Sequence, residues 1–447
     1  MQETNLKVKL SYSQILSIAL PITASILLPQ INFIINNIFL GAVSQQSLAA
    51  AGITGVYYLI FAVCGIGLNN GLQTLLSRRA GQDKVSEIGK ILAQGVRISF
   101  VMATVGVAIT WWLIPSLLHF SLNNQEIIDK CVSFLRIRIF GLFFLYLYQL
   151  RNALLVSTNQ SRLLIVATAV EAIVNIIFDF GLIKGRLGMP QLGFNGAAYA
   201  SILAEISGLL IIYWVIKARK IDQKLQLFKF AKFDWSTTKL ILRQSAPLIA
   251  QHGISIISWQ FFYILIEHHG ETALAISNTM RNIFGFFGCF TWAFAATTNS
   301  MVSNVIGQKM EYQVPLLIKR LITLSFGFSF LVFLVLNMFP SLFLSIYSQG
   351  DTFINQGIPV VRIVSTALLL MSLSVVWFNA VIGSGNSKVS LLIEIMSITG
   401  YCIYVYVVLE KLNLSIVWGW ASEWIYWSVM LIGSYWFMTY RKWNKVV

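Results

Sequence analysis

The chain consists of two similar halves, and this repeat restricts its possible folds more than any other feature of the sequence. Pro21 recurs as Pro247, an offset of 247 − 21 = 226 residues. The same offset relates Leu48 to Leu274, Ser77 to Ser303 and Gly81 to Gly307, and an offset of 227 relates Asn152, Ser157 and Asn159 to Asn379, Ser384 and Asn386. In a membrane protein such a repeat is typical of transporters, whose substrate site between the repeats opens alternately to the two sides.

The composition places both halves in a lipid bilayer. Hydrophobic residues are 57% of the 447 residues and charged residues are 11%, whereas soluble domains have about 45–50% and about 25%. Apolar runs of roughly 20 residues, long enough to cross about 30 Å of hydrocarbon, recur between short polar breaks. We therefore predict an all-α integral membrane protein with twelve transmembrane helices, at residues 14–40, 48–76, 91–118, 132–156, 163–183, 195–216, 245–266, 273–302, 319–346, 358–382, 388–409 and 415–439.

A polar linker divides the predicted spans into two six-helix lobes. It covers residues 217–242, between an N-terminal lobe at 1–216 and a C-terminal lobe at 243–447. Because six spans return the chain to the side from which it started, both lobes enter the bilayer in the same direction. We expect a parallel internal repeat about an axis along the membrane normal.

The net charge of +15 follows the positive-inside pattern of membrane proteins. Basic residues are concentrated in alternate loops, at Lys7, Lys9, Arg78, Arg79, Lys84, Arg162, residues 217–243, Lys309, Lys319, Arg320, Lys388, Arg441, Lys442 and Lys445. This pattern predicts cytoplasmic termini, a multi-pass protein of the bacterial inner membrane and no nucleic-acid partner.

The first apolar run lacks a signal cleavage site and is expected to be retained. The four cysteines form no CxxC motif, so neither a disulfide framework nor a zinc site is indicated.

Ionisable side chains within spans cost about 2.5–3.5 kcal/mol at a helix centre, and they mark functional sites. Span five carries Glu171, Asn175 and Asp179 at intervals of four residues, so a helix places them along one face. Ser201 and Glu205 have the same spacing in span six. Alternatively, Glu171 and Glu205 neutralise a base such as Arg97 or Arg151.

Span one adds Asn32 and Asn36, the latter at the depth of Asp179 and Ser201. The position that matches Asn36 in the second half is Phe262, so the second half repeats the scaffold without this polar layer. We predict that the first lobe binds the coupling ion, H⁺ or Na⁺, and that no other cofactor is needed. The candidate residues are Asp179, Asn175, Asn36, Ser201, Glu171 and Glu205, of which the first four are the candidate ligands of a sodium ion.

Aromatic side chains can stack on a flat organic cation. The candidate residues for contact with a small organic substrate are Asn32, Tyr57, Phe61, Trp259, Phe262 and Arg281. We expect Arg281 to be buried, and therefore to need a partner or a water-filled space. Glu394 and Glu423 lie toward the ends of spans, where we expect them to reach interfacial water.

Several motifs resemble those of multidrug and toxic compound extrusion (MATE) transporters. In chain order they are ALP in span one, NNIFLG followed by SLAAAG, LLSRRAGQ, RNALLVSTNQS, NIIFDFGLI in span five, GAAYAS and FNAVIGSGNSK. The resemblance covers nearly the whole chain and is closer to the branch related to DNA-damage-inducible protein F. It implies twelve helices in two lobes and export of organic, often cationic compounds in exchange for H⁺ or Na⁺. The family's span-five Asn and Asp match Asn175 and Asp179, and its span-six hydroxyl residue matches Ser201.

The chain departs from the family pattern at Asn36, where the family usually carries an Asp that can titrate. Either Asp179 therefore acts alone, or Glu171 or Glu205 supplies a second carboxylate. Another branch of the family carries a Glu in span seven, at the position of Ser255 in this chain.

From these observations we predict a monomeric secondary active antiporter that works by alternating access. A flippase of lipid-linked precursors and a receptor or scaffold that does not pump are the alternatives. An enzyme is not expected, because the chain contains neither HExxH nor GxSxG.

Overall fold

The computed structural model describes residues 6–41, 45–121, 124–227, 229, 232–347, 350–441 and 443. Within these ranges, the side chains of 33, 34, 36–41, 45–49 and 121 are outside the description. The side chain of Asn36, a predicted ion ligand, therefore lies outside the described residues.

Twelve long helices in the described chain follow the twelve predicted spans. They are α1 Tyr12–Gly41, α2 Gln45–Gly81, α3 Val85–Ser121, α4 Gln125–Ser157, α5 Arg162–Lys184, α6 Phe194–Ala218, α7 Trp235–Glu267, α8 Glu271–Gly307, α9 Val314–Met338, α10 Asp351–Gly383, α11 Ser387–Lys411 and α12 Ser422–Tyr440. Most helices extend beyond the predicted spans, because backbone hydrogen bonding continues after the apolar run has ended. In the described part of the chain, ten helices are long and apolar enough to cross a membrane, and α8 and α12 are not among these ten.

Shorter elements interrupt or connect these helices. A 3₁₀ turn at Ile139–Gly141 lies inside α4, and the last residues of α11, Tyr406–Lys411, are π-helical. Short helices at Ile221–Lys224, Pro340–Ser345 and Ile416–Trp420 lie in the linker, after α9 and before α12.

The described chain separates into two compact units. Of the described residues, the first contains Leu6 and those from Ala24 to Ser245, and the second contains Lys7–Thr23 and those from Ala246 to Trp443, so α1 contributes residues to both. In the second unit the segment before α1 is held on α8, where Val8 N donates to Asn304 Oδ1 at 3.1 Å and Gln308 Nε2 donates to Val8 O at 3.1 Å.

The same helix pairs pack together within each unit. In the first unit α4 packs against α2, α3 and α6, and α5 packs against α6. In the second unit α10 packs against α8, α9 and α12, and α11 packs against α12. Each pair of the second unit is the pair of the first unit six helices later. The internal repeat of the sequence is therefore a repeat of helix packing, and the predicted fold class is confirmed.

Small residues allow α5 and α6 to approach each other closely. A Cβ atom placed on Gly196 of α6 would lie 2.7 Å from the backbone carbonyl of Leu182 in α5. Such small contact residues are typical of helix pairs in membranes, where close backbone packing drives association. This contact fixes the helix that carries Asp179.

Candidate functional site

Asp179 is the central residue of the candidate site in the first unit. Its side chain on α5 has 0% exposure. Neither of its carboxylate oxygens has a hydrogen-bond partner among the side chains and backbone groups that the structure describes. An ionised carboxylate without a partner is very unfavourable in such surroundings. Asp179 therefore has the environment of a group that binds a proton or a cation.

Asn175, one turn from Asp179, connects α5 to α1. Asn32 Nδ2 of α1 donates a hydrogen bond to Asn175 Oδ1. Asn175 is 2% exposed, and Asn32 is half-buried. The Oδ1 atom of Asn32 is also buried and has no partner in the described part of the chain. Asn32, predicted as a substrate contact, is thus bonded to the candidate ion site, and it offers an acceptor oxygen beside Asn175.

Glu205 forms an ion pair with Arg138 of α4. Arg138 Nη2 donates to Glu205 Oε1 at 2.6 Å and Nη1 donates to Oε2 at 3.2 Å, a bidentate arrangement. Gly141 makes room for it, because a Cβ atom there would lie 1.9 Å from Nη1 of the arginine. The bases suggested by the sequence, Arg97 and Arg151, are not the partners. Arg97 instead donates to the carbonyl of Lys232 at 2.8 Å.

Glu171 makes no ion pair within the described residues. The residue is half-buried, and its Oε2 atom is buried without a hydrogen-bond partner in the same part of the chain. The charges of Arg151 and Arg138 act on it, but Arg151 stacks on the ring of Tyr148, with 3.8 Å from Cζ to the ring centroid. Of the two glutamates predicted as a second carboxylate, Glu171 is the one whose charge is not already neutralised by a bidentate arginine.

No hydrogen bond between described residues joins Asp179 to the other candidates in the first unit. Ser201 is half-buried on α6, and no hydrogen bond between described residues joins it to Asp179. The ring of Tyr57 packs on that of Phe61, with 5.5 Å between centroids, and its hydroxyl lies 2.9 Å from Thr110 Oγ1. Tyr57 and Phe61 therefore contribute to the packing of α2 against the neighbouring helices.

The aromatic candidates of the second unit form a packed cluster. Phe262 is 2% exposed, and its ring centroid lies 5.2 Å from that of Trp420. Trp259 packs against Tyr263 at 6.1 Å. The expectation that Arg281 is buried is wrong. It is exposed, and its guanidinium lies over the ring of Tyr263 at 5.4 Å, because that helix face is open.

The two glutamates of α11 and α12 also differ from their prediction. Glu394 and Glu423, expected in interfacial water, are 1% and 4% exposed. Glu394 Oε1 accepts hydrogen bonds from Ser255 Oγ and Tyr426 Oη, both at 2.6 Å. Glu423 Oε2 accepts one from Trp427 Nε1 at 2.9 Å. The prediction that both glutamates reach interfacial water is wrong, because hydroxyl and indole groups of the protein take the place of water around them.

Comparison with known proteins agrees with the repeat. The family model MatE matches residues 21–180 and 247–407, two ranges that begin at the repeated prolines Pro21 and Pro247. A probable multidrug resistance protein, NorM of Thermotoga maritima, is 22% identical over 414 residues, which cover 92% of this chain and 88% of the relative. The uncharacterized transporter YisQ of Bacillus subtilis is 21% identical over 426 residues, covering 92% and 89%.

Solved structures share the fold. A MOP superfamily transporter from Pyrococcus furiosus superposes with a TM-score of 0.88 at 17% sequence identity, covering 96% of each chain. An outward-facing multidrug resistance MATE family transporter superposes with a TM-score of 0.86 at 19% identity, again covering 96% of each chain. At these identities the superpositions establish the shared architecture.

Proposed function

The chain belongs to the MatE family of membrane transporters, and from this premise we propose that it is a secondary active antiporter that exports organic compounds in exchange for H⁺ or Na⁺. Asp179 is the single observation that carries the proposal: a fully buried membrane carboxylate whose oxygens lack partners among described residues. Such a group needs an ion when it is sequestered, and can release it when water reaches the site. The multidrug resistance names of its relatives support amphipathic or cationic organic compounds as substrates.

Coupling requires that ion binding at Asp179 change the conformation of the first unit. The hydrogen bond from Asn32 to Asn175 supports this step, because it joins α1 to α5 one turn from Asp179. Ion binding at Asp179 changes the charge next to this hydrogen bond and so shifts the equilibrium between the conformations in which the bond is formed and broken. Since α1 contributes residues to both units, a movement of α1 would reach the second unit along the helix itself.

Glu171 is the proposed second carboxylate. Arg138 already neutralises Glu205, whereas Oε2 of Glu171 is buried and has no hydrogen-bond partner in the described chain. Glu171 lies two turns from Asp179 on the same face of α5, where it can take the role that Asn36 cannot fill. Asp179 would then exchange the ion, and Glu171 would supply a second negative charge on the same helix.

The proposal also covers the membrane, the side on which the termini lie and the oligomeric state. The alternation of basic loops supports the bacterial inner membrane with both termini in the cytoplasm. The protein acts as a monomer, and its coupling ion takes the place of a cofactor.

The proposal is tested with proteoliposomes of the purified protein, loaded with fluorescent organic cations and energised separately by a proton gradient and by a sodium gradient. We expect one gradient to drive export by the wild type and Asp179→Asn to lower the rate at least tenfold. Asp129→Asn is the matched control, because it makes the same change at an exposed residue of α4. Export by Asp179→Asn at the wild-type rate would refute the assignment. If neither gradient moves any of a broad panel of compounds, the antiporter proposal fails and the flippase alternative gains support.

A further inference from the structure

An open groove on the first unit contains an arginine that the proposed function does not use. The groove lies between α3, α4 and α6, and its volume is about 640 Å³. Sites for small organic molecules typically have volumes of roughly 300–1,000 Å³. The rings of Trp111, Phe140 and Tyr199 in its lining are 43%, 45% and 43% exposed. The residues of the lining that matter below are Trp111, Ser133, Arg136, Phe140 and Tyr199.

Arg136 and Arg138 lie two residues apart on α4 but differ in their partners. Arg138 forms the bidentate ion pair with Glu205. Arg136 is exposed and forms no ion pair with a described acid. Its guanidinium lies over the ring of Trp111, with 5.2 Å from Cζ to the ring centroid, and that ring packs on Phe140 at 6.2 Å. Contact with the face of a ring leaves the N–H groups at the edge of a guanidinium free to donate.

Two hydroxyl groups add to the donors of Arg136. Ser133 precedes Arg136 by three residues, a spacing that places both on one face of a helix. Ser133 Oγ accepts a hydrogen bond from Asn195 Nδ2 at 2.7 Å, so its own proton is available to a further acceptor. Tyr199 of α6 brings a second hydroxyl to the groove. A guanidinium with neighbouring hydroxyl donors is a favourable environment for the oxygen atoms of a phosphate.

The only acid of this lining among the described residues is Asp129, at the end of the groove nearest the start of α4. It precedes Arg136 by seven residues, which is about 10 Å along a helix. Its Oδ1 atom accepts a hydrogen bond from Gln125 Nε2 at 3.0 Å. Asp129 is therefore engaged one turn further back on α4 and does not neutralise Arg136.

The donors lie at the level at which lipid headgroups meet the hydrocarbon. Arg136 follows the predicted start of span four at 132 by four residues, and Tyr199 follows the predicted start of span six at 195 by four, about 6 Å in each case. Side chains tilt toward the N-terminus of their helix, and α4 and α6 both begin on the side opposite the basic loops. Both side chains therefore tilt toward the headgroups of the outer leaflet, whereas Phe140 lies about 6 Å deeper than Arg136.

This order of groups matches the order of groups in a phospholipid. An arginine that faces hydrocarbon is costly, and contact with the phosphate groups at the bilayer surface lowers this cost. Exposed rings directly below the donors suit an acyl chain, which a soluble phosphate ion does not have. The chemistry of the groove therefore favours a lipid over a free anion.

We propose that the groove binds one phospholipid of the outer leaflet, whose phosphate diester accepts hydrogen bonds from Arg136, Ser133 and Tyr199. One acyl chain lies over Trp111 and Phe140. Because Ser133 and Arg136 belong to α4 and Tyr199 to α6, the lipid joins these two helices. The site shares no residue with the candidate ion site around Asp179.

The test is native mass spectrometry of the purified, delipidated full-length protein in detergent, titrated with dioleoylphosphatidylethanolamine. We expect the wild type to bind one phospholipid saturably and to bind dioleoylglycerol, which lacks the phosphate, at least tenfold more weakly. Arg136→Gln should weaken phospholipid binding at least tenfold, and Tyr199→Phe, which removes a single oxygen, should weaken it several-fold. Arg186→Gln is the matched control, because Arg186 is an exposed arginine of the same unit outside the groove lining.

Thermal unfolding gives a second measurement. Without lipid, wild type and Arg136→Gln should have the same midpoint, because Arg136 has no ion pair to lose among the described residues. Added phospholipid should raise the midpoint of the wild type and leave that of Arg136→Gln unchanged, since a ligand stabilises only the protein that binds it.

Three results would overturn the proposal: no saturable phospholipid binding, equal affinity for dioleoylglycerol, or wild-type affinity in Arg136→Gln. Displacement of the lipid by inorganic phosphate would also overturn it, because it would identify a site for a soluble anion. Since binding is measured without a gradient, its failure would leave the export proposal standing, and failure of export would leave lipid binding standing.

Discussion

The ion pair between Arg138 and Glu205 should determine the stability of the first unit rather than its ion coupling. The side chains are 13% and 7% exposed, and two hydrogen bonds join them. Removing one partner of such a buried pair costs about 3–5 kcal/mol, because the other charge stays buried. The ring of Tyr58, 4.1 Å from the guanidinium carbon, still contacts Arg138 in Glu205→Gln. We therefore expect a loss near the lower limit, about 3 kcal/mol, and a fall of the thermal midpoint by roughly 5–10 °C.

The double variant Arg138→Gln/Glu205→Gln tests this explanation, since it buries no charge. It should regain most of the lost stability in thermal unfolding followed by size-exclusion chromatography. Below its unfolding temperature, Glu205→Gln should still export under the gradient that drives the wild type. An unchanged midpoint combined with lost export would refute the structural role and make Glu205 an ion-coupling residue.

Two further predictions concern helix packing and the linker. Gly196→Ala should lower the thermal midpoint by the equivalent of about 1–3 kcal/mol, because the new Cβ would lie 2.7 Å from the backbone of Leu182. The control Gly253→Ala should leave the midpoint unchanged, because no atom lies within 4 Å of its Cβ. Equal midpoints for the two variants would contradict the close approach of α5 and α6. In the linker, hydrogen bonds lower the pKa of Asp234, and the largest effect comes from the hydrogen bond with Lys90. The contribution of Asp234 to stability is therefore complete above the usual aspartate pKa of about 4 and is lost as the pH falls below that value. The difference in midpoint between wild type and Asp234→Asn should therefore be constant from pH 5 to 8 and shrink at lower pH, whereas a difference that grows on acidification would contradict the assignment.

Much of the fold could be predicted from the sequence because hydropathy and repetition act over long segments. An apolar run of about 20 residues forms a spanning helix, because a helix satisfies all its backbone hydrogen bonds within the bilayer. The offset linking Pro21 to Pro247 anticipated that the same helix pairs pack in both units. Helix ends were predicted less well: α7 begins at Trp235, ten residues before the apolar run at 245, because hydropathy does not report where backbone hydrogen bonds stop.

The site could be predicted only where its residues lie on one helix. Intervals of four residues placed Glu171, Asn175 and Asp179 on one face of α5. Partners on other helices leave no local signal: Arg138 lies 67 residues from Glu205, and Ser255 lies 139 residues from Glu394. The burial of Arg281 was predicted wrongly for a related reason, because an apolar run does not show which face of its helix is open.

The repeat also separates the residues that build the scaffold from those that handle charge. At the offset of 227 that relates the later parts of the halves, Asp179 corresponds to Tyr406 and Glu394 corresponds to Ala167. The two units thus use the same helix pairs but place their buried acids at positions that are not equivalent. Packing alone would have kept equivalent residues at equivalent positions, and buried acids are too costly to persist without a use. The acids that break the repeat are therefore the positions at which we expect the two units to differ in function, as in the ion exchange proposed at Asp179 of the first unit.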